Sequence, residues 1–585
     1  MIAIVAVLPV VLCTLLIGAR GVATMRTTSD FLVASRRISP VLNSAAVSGE
    51  YLSAASFLGV AGLVVKDGIG SLWYTVGFTA GYLVMLALIA APLRRSGALT
   101  VPGFAEARLA SPALRRLAAV TVLVIGVLYL IPQFRTAGLV LSAVSGTPYW
   151  VGVVIAGAAV SVTLALGGMR AATYVQAFQF VLKLVLLVVP ALWLVITVGP
   201  AVRAEAVHPV EFTHFGKDTT VTFEVDVRLE LSEPTPIRDA DGALHVYPPG
   251  ELSMGSGQRV TFPAGAPVPQ AGGGRLPGAP GWERPLLDIG GTGYPLLSTL
   301  AVLMATVLGT MGLPHVLMRF HTSPDGRAAR RTAAITIGLL SVFYLIPGVY
   351  GLLGKVLVPQ LYLTGATDTA VVALPSQVDT GWPGTLFTAL LTAGAFAAFL
   401  ATSLGLLLVV SGATAHDLMS GGLRTLRTAV FVTAIAVVLL ALPAAPIDAD
   451  VLVTWAFTVA AATFCPLLVL GIWWSRLTAP GAIAGVLTGL VTVSGSILLA
   501  LSGIPLHGWL AVLIARPAPW AVPLAFAVMV LVSRTGRPPS WSRAAMLRLH
   551  LGDRALDADP HPGPADPDLT RRARRQARPG RLPTA

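Results

Sequence analysis

Apolar residues fill long runs along the 585-residue chain, and short polar stretches separate them. A membrane helix needs about 20 mostly apolar residues, because hydrocarbon offers no partner to an unpaired backbone group. The pattern predicts about thirteen such spans, near residues 2–19, 41–65, 72–93, 116–143, 148–167, 173–199, 292–317, 332–357, 384–413, 427–445, 451–474, 479–503 and 512–533. The fold class expected from this is an all-α polytopic membrane protein. One long polar insert, 200–291, interrupts the series. Within it Val221, Phe223, Val225, Val227, Leu229 and Leu231 alternate with Thr222, Glu224, Asp226, Arg228 and Glu230, the period of a strand with one buried face. A small β-rich cap is expected there, followed by a loose Pro/Gly-rich connector from Pro263 to Gly281.

Composition agrees with a bilayer as solvent. Only 11% of residues are charged and 55% are hydrophobic, whereas soluble domains carry about 25% charged residues. The formal charge of +13 does not point to nucleic acid, since the basic residues sit between apolar runs. An outside N-terminus puts Arg20, Arg26, Arg36, Arg37, Arg94, Arg95, Arg108, Arg115, Arg116, Arg170, Arg319, Arg327, Arg330, Arg331, Arg424, Arg427 and Arg476 in the cytoplasm. The short outer loops then hold little beyond Lys66, Lys355 and Arg516. This asymmetry is the positive-inside rule, and it predicts a cell-membrane protein with an extracellular insert and a cytoplasmic C-terminus. The opening run lacks a basic leader and reads as a retained helix. The basic tail, 534–585, is expected to lie against anionic lipid. Cys13 and Cys465 both fall in apolar runs, which excludes a disulfide framework or a cysteine metal site.

Ionisable groups deep in a span are costly, so each one found there is a functional candidate. Glu50 is the clear carboxylate of this kind. Ser48, Gly49, Ser53 and Ser56 around it are small or hydroxylated, suiting a helix broken so that its carbonyls face a cation. A second interruption is predicted in Leu308-Gly309-Thr310-Met311-Gly312-Leu313-Pro314. The two breaks fall in the first helix of each of two five-span blocks, 41–199 and 292–474, and odd-numbered blocks in succession form an inverted repeat. An N-terminal helix and link (1–40) and C-terminal helices (475–533) flank them. Thr402 and Ser403 offer hydroxyls to complete an oxygen cage. Gln133 and Arg135 in the fourth span and Lys183 in the sixth are the other deep polar groups, and Arg135 suits a substrate carboxylate best because its guanidinium presents a fixed fork of donors.

Four segments carry a resemblance. Gly49-Glu50-Tyr51-Leu52-Ser53-Ala54-Ala55-Ser56-Phe57-Leu58-Gly59 resembles the first core helix of the sodium:solute symporter family, especially its acetate permease branch. Gly167-Gly168-Met169-Arg170-Ala171-Ala172-Thr173-Tyr174-Val175-Gln176 resembles the loop entering core helix five, Gly312-Leu313-Pro314-His315-Val316-Leu317-Met318-Arg319-Phe320 core helix six, and His416-Asp417-Leu418 the end of core helix eight. The resemblance runs over roughly residues 28–500. It implies a leucine-transporter type of fold with a five-plus-five inverted repeat, and a sodium ion held by positions that fall on Gly49, Leu52, Phe399, Thr402 and Ser403. Gly49 and Phe399 stand where the family often has alanine, a change expected to matter little. The hydroxyl pair favours sodium over protons, although Glu50 itself could carry a proton. Arg135 departs from the branch, where a small or apolar residue is usual, and allows a carboxylate larger than acetate.

The expected function is a secondary symporter that couples inward flow of a cation, sodium before protons, to uptake of a short-chain monocarboxylate. Glu50, Ser53, Ser56, Gln133, Arg135, Gly309 and Thr310 are the expected coupling and substrate residues. No cofactor is expected beyond the coupling ion. An enzyme is disfavoured, because no metalloprotease motif, nucleophile–base pair or phosphate loop stands in a membrane or cytoplasmic segment. A proton-coupled monocarboxylate transporter and a sodium symporter of another small solute are the alternatives, and a passive channel lined by broken helices is a remote one.

Overall fold

The computed structural model describes residues 2–551, apart from 21–26, 209, 224, 225, 272–275, 290–292, 365, 366, 448, 503, 505 and 541. The basic tail beyond residue 551 lies outside the described residues. Among those described, ten helices are long and apolar enough to cross a bilayer, and Pro40–Tyr51 with Ala55–Asp67 forms an eleventh span bent by 68°. The helix Tyr149–Thr197 runs for 49 residues, more than twice what one crossing requires. Gly168 divides it with φ 55° and ψ −152°, a conformation in which a side chain would be strained. Counting its two halves separately, and adding the shorter apolar helix Val5–Ala19, gives each of the thirteen expected spans a helical segment.

Helix starts follow local chemistry. Ser39 accepts from the Leu42 N–H with Pro40 at the first helical position, and Ser111 does the same for Leu114 ahead of Pro112. Asp325 caps the helix that begins at Gly326 through the Ala328 N–H. Elsewhere the apolar faces decide packing. The helix Trp382–Gly412 sits at the centre, its apolar stretch buried along its whole length. It packs against Tyr149–Thr197, Pro112–Ser145 and Pro40–Tyr51.

The insert forms the expected cap, but with a different strand plan. Residues 221–231 do not make one strand. β1 (Thr219–Thr222) and β2 (Val227–Leu231) belong to separate sheets. β3 (Thr235–Arg238), β4 (Leu244–Tyr247) and β6 (Arg259–Phe262) join β1 in the order β1-β6-β3-β4. β5 (Gly250–Met254) and the two-residue β7 (Gln270–Ala271) flank β2. Alternation still tells which side is buried, since Val221, Leu229 and Leu231 face inward. The stretch expected as a loose connector is partly built in, contributing β7 and the buried Ala266 and Val268. Tyr362 and Leu363, from the turn ahead of the helix Ala370–Val378, complete the cap's core. A cavity of about 680 Å³ lies between β1 and the hydroxyl-rich ends of the neighbouring helices, including Thr364, Ser376, Thr385 and Thr388.

Candidate functional site

Backbone accounting locates the first break. The Leu52 N–H still bonds the Ser48 carbonyl at 3.0 Å, but the Ser53 N–H turns to Tyr51 at 2.8 Å, and regular bonding resumes with Phe57 on Ser53 at 2.9 Å. The Gly49 and Leu52 carbonyls lie in this gap, at the C-terminal end of a half-helix, where the helix dipole concentrates negative charge. The Lys183 ammonium donates to both, at 2.5 and 2.7 Å. Gln133 accepts from the Ala54 N–H at 3.1 Å, and the Tyr129 hydroxyl donates to Ser53 at 3.4 Å. Ser56 pairs with the Tyr344 hydroxyl at 2.9 Å.

The second break falls within the expected 308–314 segment, at its proline end. The helix Pro295–Gly312 is continuous through Gly309 and Thr310, and the interruption falls at Leu313, with φ −68° and ψ 114°. Pro314 explains this. It has no N–H to give the ladder, and it pushes the residue before it into extended backbone. Gly309 and Thr310 are therefore helical. Gly309 is a close-packing position, since a side chain there would meet the Phe457 carbonyl. The Thr310 hydroxyl reaches Tyr51 on the first half-helix at 2.7 Å.

After Pro314 the short helix Pro314–His321 delivers Arg319 into the interior, fully buried. The positive-inside count had placed this arginine in the cytoplasm. Its Nε donates to the Glu50 carboxylate at 2.5 Å and its Nη1 to Thr173 at 2.9 Å, and its other nitrogen donates to the Gln176 side-chain oxygen. Gln176 then donates to the Ala401 carbonyl at 2.7 Å. One buried network thus ties both half-helix regions to Tyr149–Thr197 and to Trp382–Gly412. Thr173, Gln176 and Arg319 were not named as site residues, although all three stand in segments that carry the family resemblance.

Of the expected sodium ligands, the Gly49 and Leu52 carbonyls both accept from Lys183 at the break, and Thr402 reaches the same half-helix from the central helix. Thr402 donates to the Glu50 carbonyl at 2.6 Å. The Ser403 hydroxyl is buried and, among the described residues, has no hydrogen-bond partner. Phe399 is buried one turn earlier. Arg135 stands apart from this network. It pairs with Asp368 at 3.4 Å and donates to the Ala445 carbonyl at 3.0 Å. Beyond the far end of the central helix, Asp417 accepts from Thr100 and Arg115, both at 3.0 Å, which fastens the His416-Asp417-Leu418 segment to two other helices.

Gly49 is less tolerant than the sequence suggested. A methyl group added there would run into the Gln176 main-chain carbonyl, which lies on a packed helix and has little room to give. Gly49→Ala is expected to cost about 1–3 kcal/mol through overpacking. A thermal-melting comparison of the two purified proteins checks it, and an unchanged midpoint would show that the helices part easily.

The profile of the sodium:solute symporter family matches residues 31–223 and 293–489, leaving out most of the insert. An uncharacterised symporter of Bacillus subtilis (strain 168), YwcA, is 30% identical over 496 residues, covering 83% of each chain. A sodium-coupled sialic acid symporter, solved in a substrate-bound outward-open state, superposes with a TM-score of 0.64 at 14% identity, covering 92% of this chain and 98% of that one. The fold is therefore the leucine-transporter type expected from the resemblance.

Proposed function

Because the chain belongs to the sodium:solute symporter family, we propose that it is a secondary symporter of the cell membrane whose cation-binding centre lies where the broken first core helix meets Trp382–Gly412. The observation that carries this reading is the group of oxygens at that junction: the Gly49 and Leu52 carbonyls, and the Thr402 hydroxyl that reaches the Glu50 carbonyl from the facing helix, where Ser403 follows it in the chain. Hard cations prefer such ligands, and unwound helix ends supply them. The family's description and the coupling of the sialic acid symporter support sodium as the ion.

The solute in this reading is a short-chain monocarboxylate such as acetate. It rests on the likeness of residues 49–59, 167–176 and 312–320 to the acetate permease branch. The charge asymmetry of the loops supports an outside N-terminus and a cytoplasmic tail. Uptake of labelled acetate, propionate and pyruvate into proteoliposomes, with a sodium or a pH gradient imposed separately, tests both substrate and ion. A sodium-driven preference for one of these acids over neutral solutes is expected. Uptake of neutral solutes alone would remove the monocarboxylate reading.

The hydroxyls make a narrower test. Thr402→Ala and Ser403→Ala are each expected to raise the sodium concentration for half-maximal uptake by about three- to tenfold, the loss of roughly one oxygen ligand worth about 1 kcal/mol. If neither substitution changes the sodium dependence, the hydroxyls do not hold the ion.

A further inference from the structure

Lys183 is completely buried, and among the described residues it has no carboxylate partner. An ammonium in that position is costly unless something replaces its water. Here the Gly49 and Leu52 carbonyls do so, at 2.5 and 2.7 Å. They occupy two of its three donors. These are the same two atoms that a sodium ion would need from the broken helix. Glu50, the acid on that half-helix, directs its carboxylate to Arg319 instead. The nearby tyrosines are also engaged elsewhere, Tyr51 with Thr310 and Tyr129 with Ser53.

We propose that Lys183 is a tethered occupant of the cation seat: its ammonium holds the unwound turn while no ion is bound, and sodium binds at Gly49 and Leu52 only by displacing it. Two positive charges cannot share two carbonyls in an interior of low dielectric. The buried Ser403 hydroxyl, without a hydrogen-bond partner among the described residues, is a second polar group available to a ligand. Ion affinity is then set by how rarely the lysine leaves, because a site that is competent only part of the time binds correspondingly more weakly. Lys183 would tune the sodium requirement without itself binding the solute.

The inference rests on the cation-coupled reading for its biological meaning, but its test does not require transport. Purified full-length protein in detergent is titrated with sodium chloride against choline chloride at constant ionic strength. Both the thermal midpoint and the binding of radioactive sodium are followed for wild type, Lys183→Met and Lys183→Arg. Lys183→Met is expected to gain a sodium-specific rise in midpoint and to bind sodium at least about tenfold more tightly than wild type. Lys183→Arg, which keeps a cation on the carbonyls, should resemble wild type. If Lys183→Met merely loses stability, with sodium affinity equal to or weaker than that of wild type, the lysine is structural and the proposal falls. Should that variant not fold, Lys183→Gln takes its place under the same criterion. Tighter sodium binding together with no gradient-driven uptake would overturn the transport reading while leaving the seat assignment standing.

Discussion

Arg319→Ala is expected to abolish uptake and to lower stability by about 3–5 kcal/mol, the usual cost of leaving one member of a buried ion pair without its partner. Arg319 is the hub of the interior network. Removing it strands the Glu50 carboxylate and withdraws donors from Thr173 and Gln176 together. The loss should be strongly non-additive. With Glu50→Leu and Arg319→Met combined, no charge is left unpaired, so stability should largely return while transport does not. Thermal melting and uptake, measured on both single variants and the double, separate the two roles. A wild-type midpoint and wild-type uptake in Arg319→Ala would mean that the pair neither locks the core nor takes part in coupling.

Gly405→Val carries the second large effect. Gly405 lies on the central helix directly against Glu50, and a side chain there would overlap the Glu50 carboxylate. The far end of a glutamate can usually swing aside. This one is held by Arg319 at 2.5 Å, while its own main-chain carbonyl accepts from Thr402. Relief must break one of these contacts or part the helices, at about 1–3 kcal/mol for the overpacking alone. The decisive comparison is with Glu50→Ala, which removes the group that is struck. Gly405→Val should cost much less in that background, with a coupling of about 0.5–3 kcal/mol. Equal costs in both backgrounds would place the clash elsewhere.

Much of the fold was legible because a bilayer leaves few choices. Every apolar run long enough to cross became helix, and Glu50 among Ser48, Gly49 and Ser53 marked the first break correctly. The second break fell within the expected 308–314 segment, and of the two glycines and the proline there it is Pro314 that ends the ladder. Glycine in a helix only weakens it, whereas proline removes a bond. Arg319 was misread. An arginine at the end of an apolar run reads as the cytoplasmic edge of a span, and hydropathy does not reveal that the chain after Pro314 stays inside the protein. Lys183 could be singled out in sequence, but which carbonyls it meets depends on two helices more than 100 residues apart in the chain. Alternation along 221–231 identified the buried side chains of the cap. It did not reveal that the run is divided between two sheets, since sidedness repeats with the same period in both.

The central claim is that this buried junction couples a cation gradient to movement of a solute. Accumulation in proteoliposomes tests it most directly. With labelled acetate at equal concentration on both sides and an inward cation gradient imposed, the account predicts a transient rise of internal label above the external level, abolished by an ionophore that collapses the gradient. Label that never exceeds the external concentration, for acetate and for every other solute carried, would contradict it and identify a passive pathway.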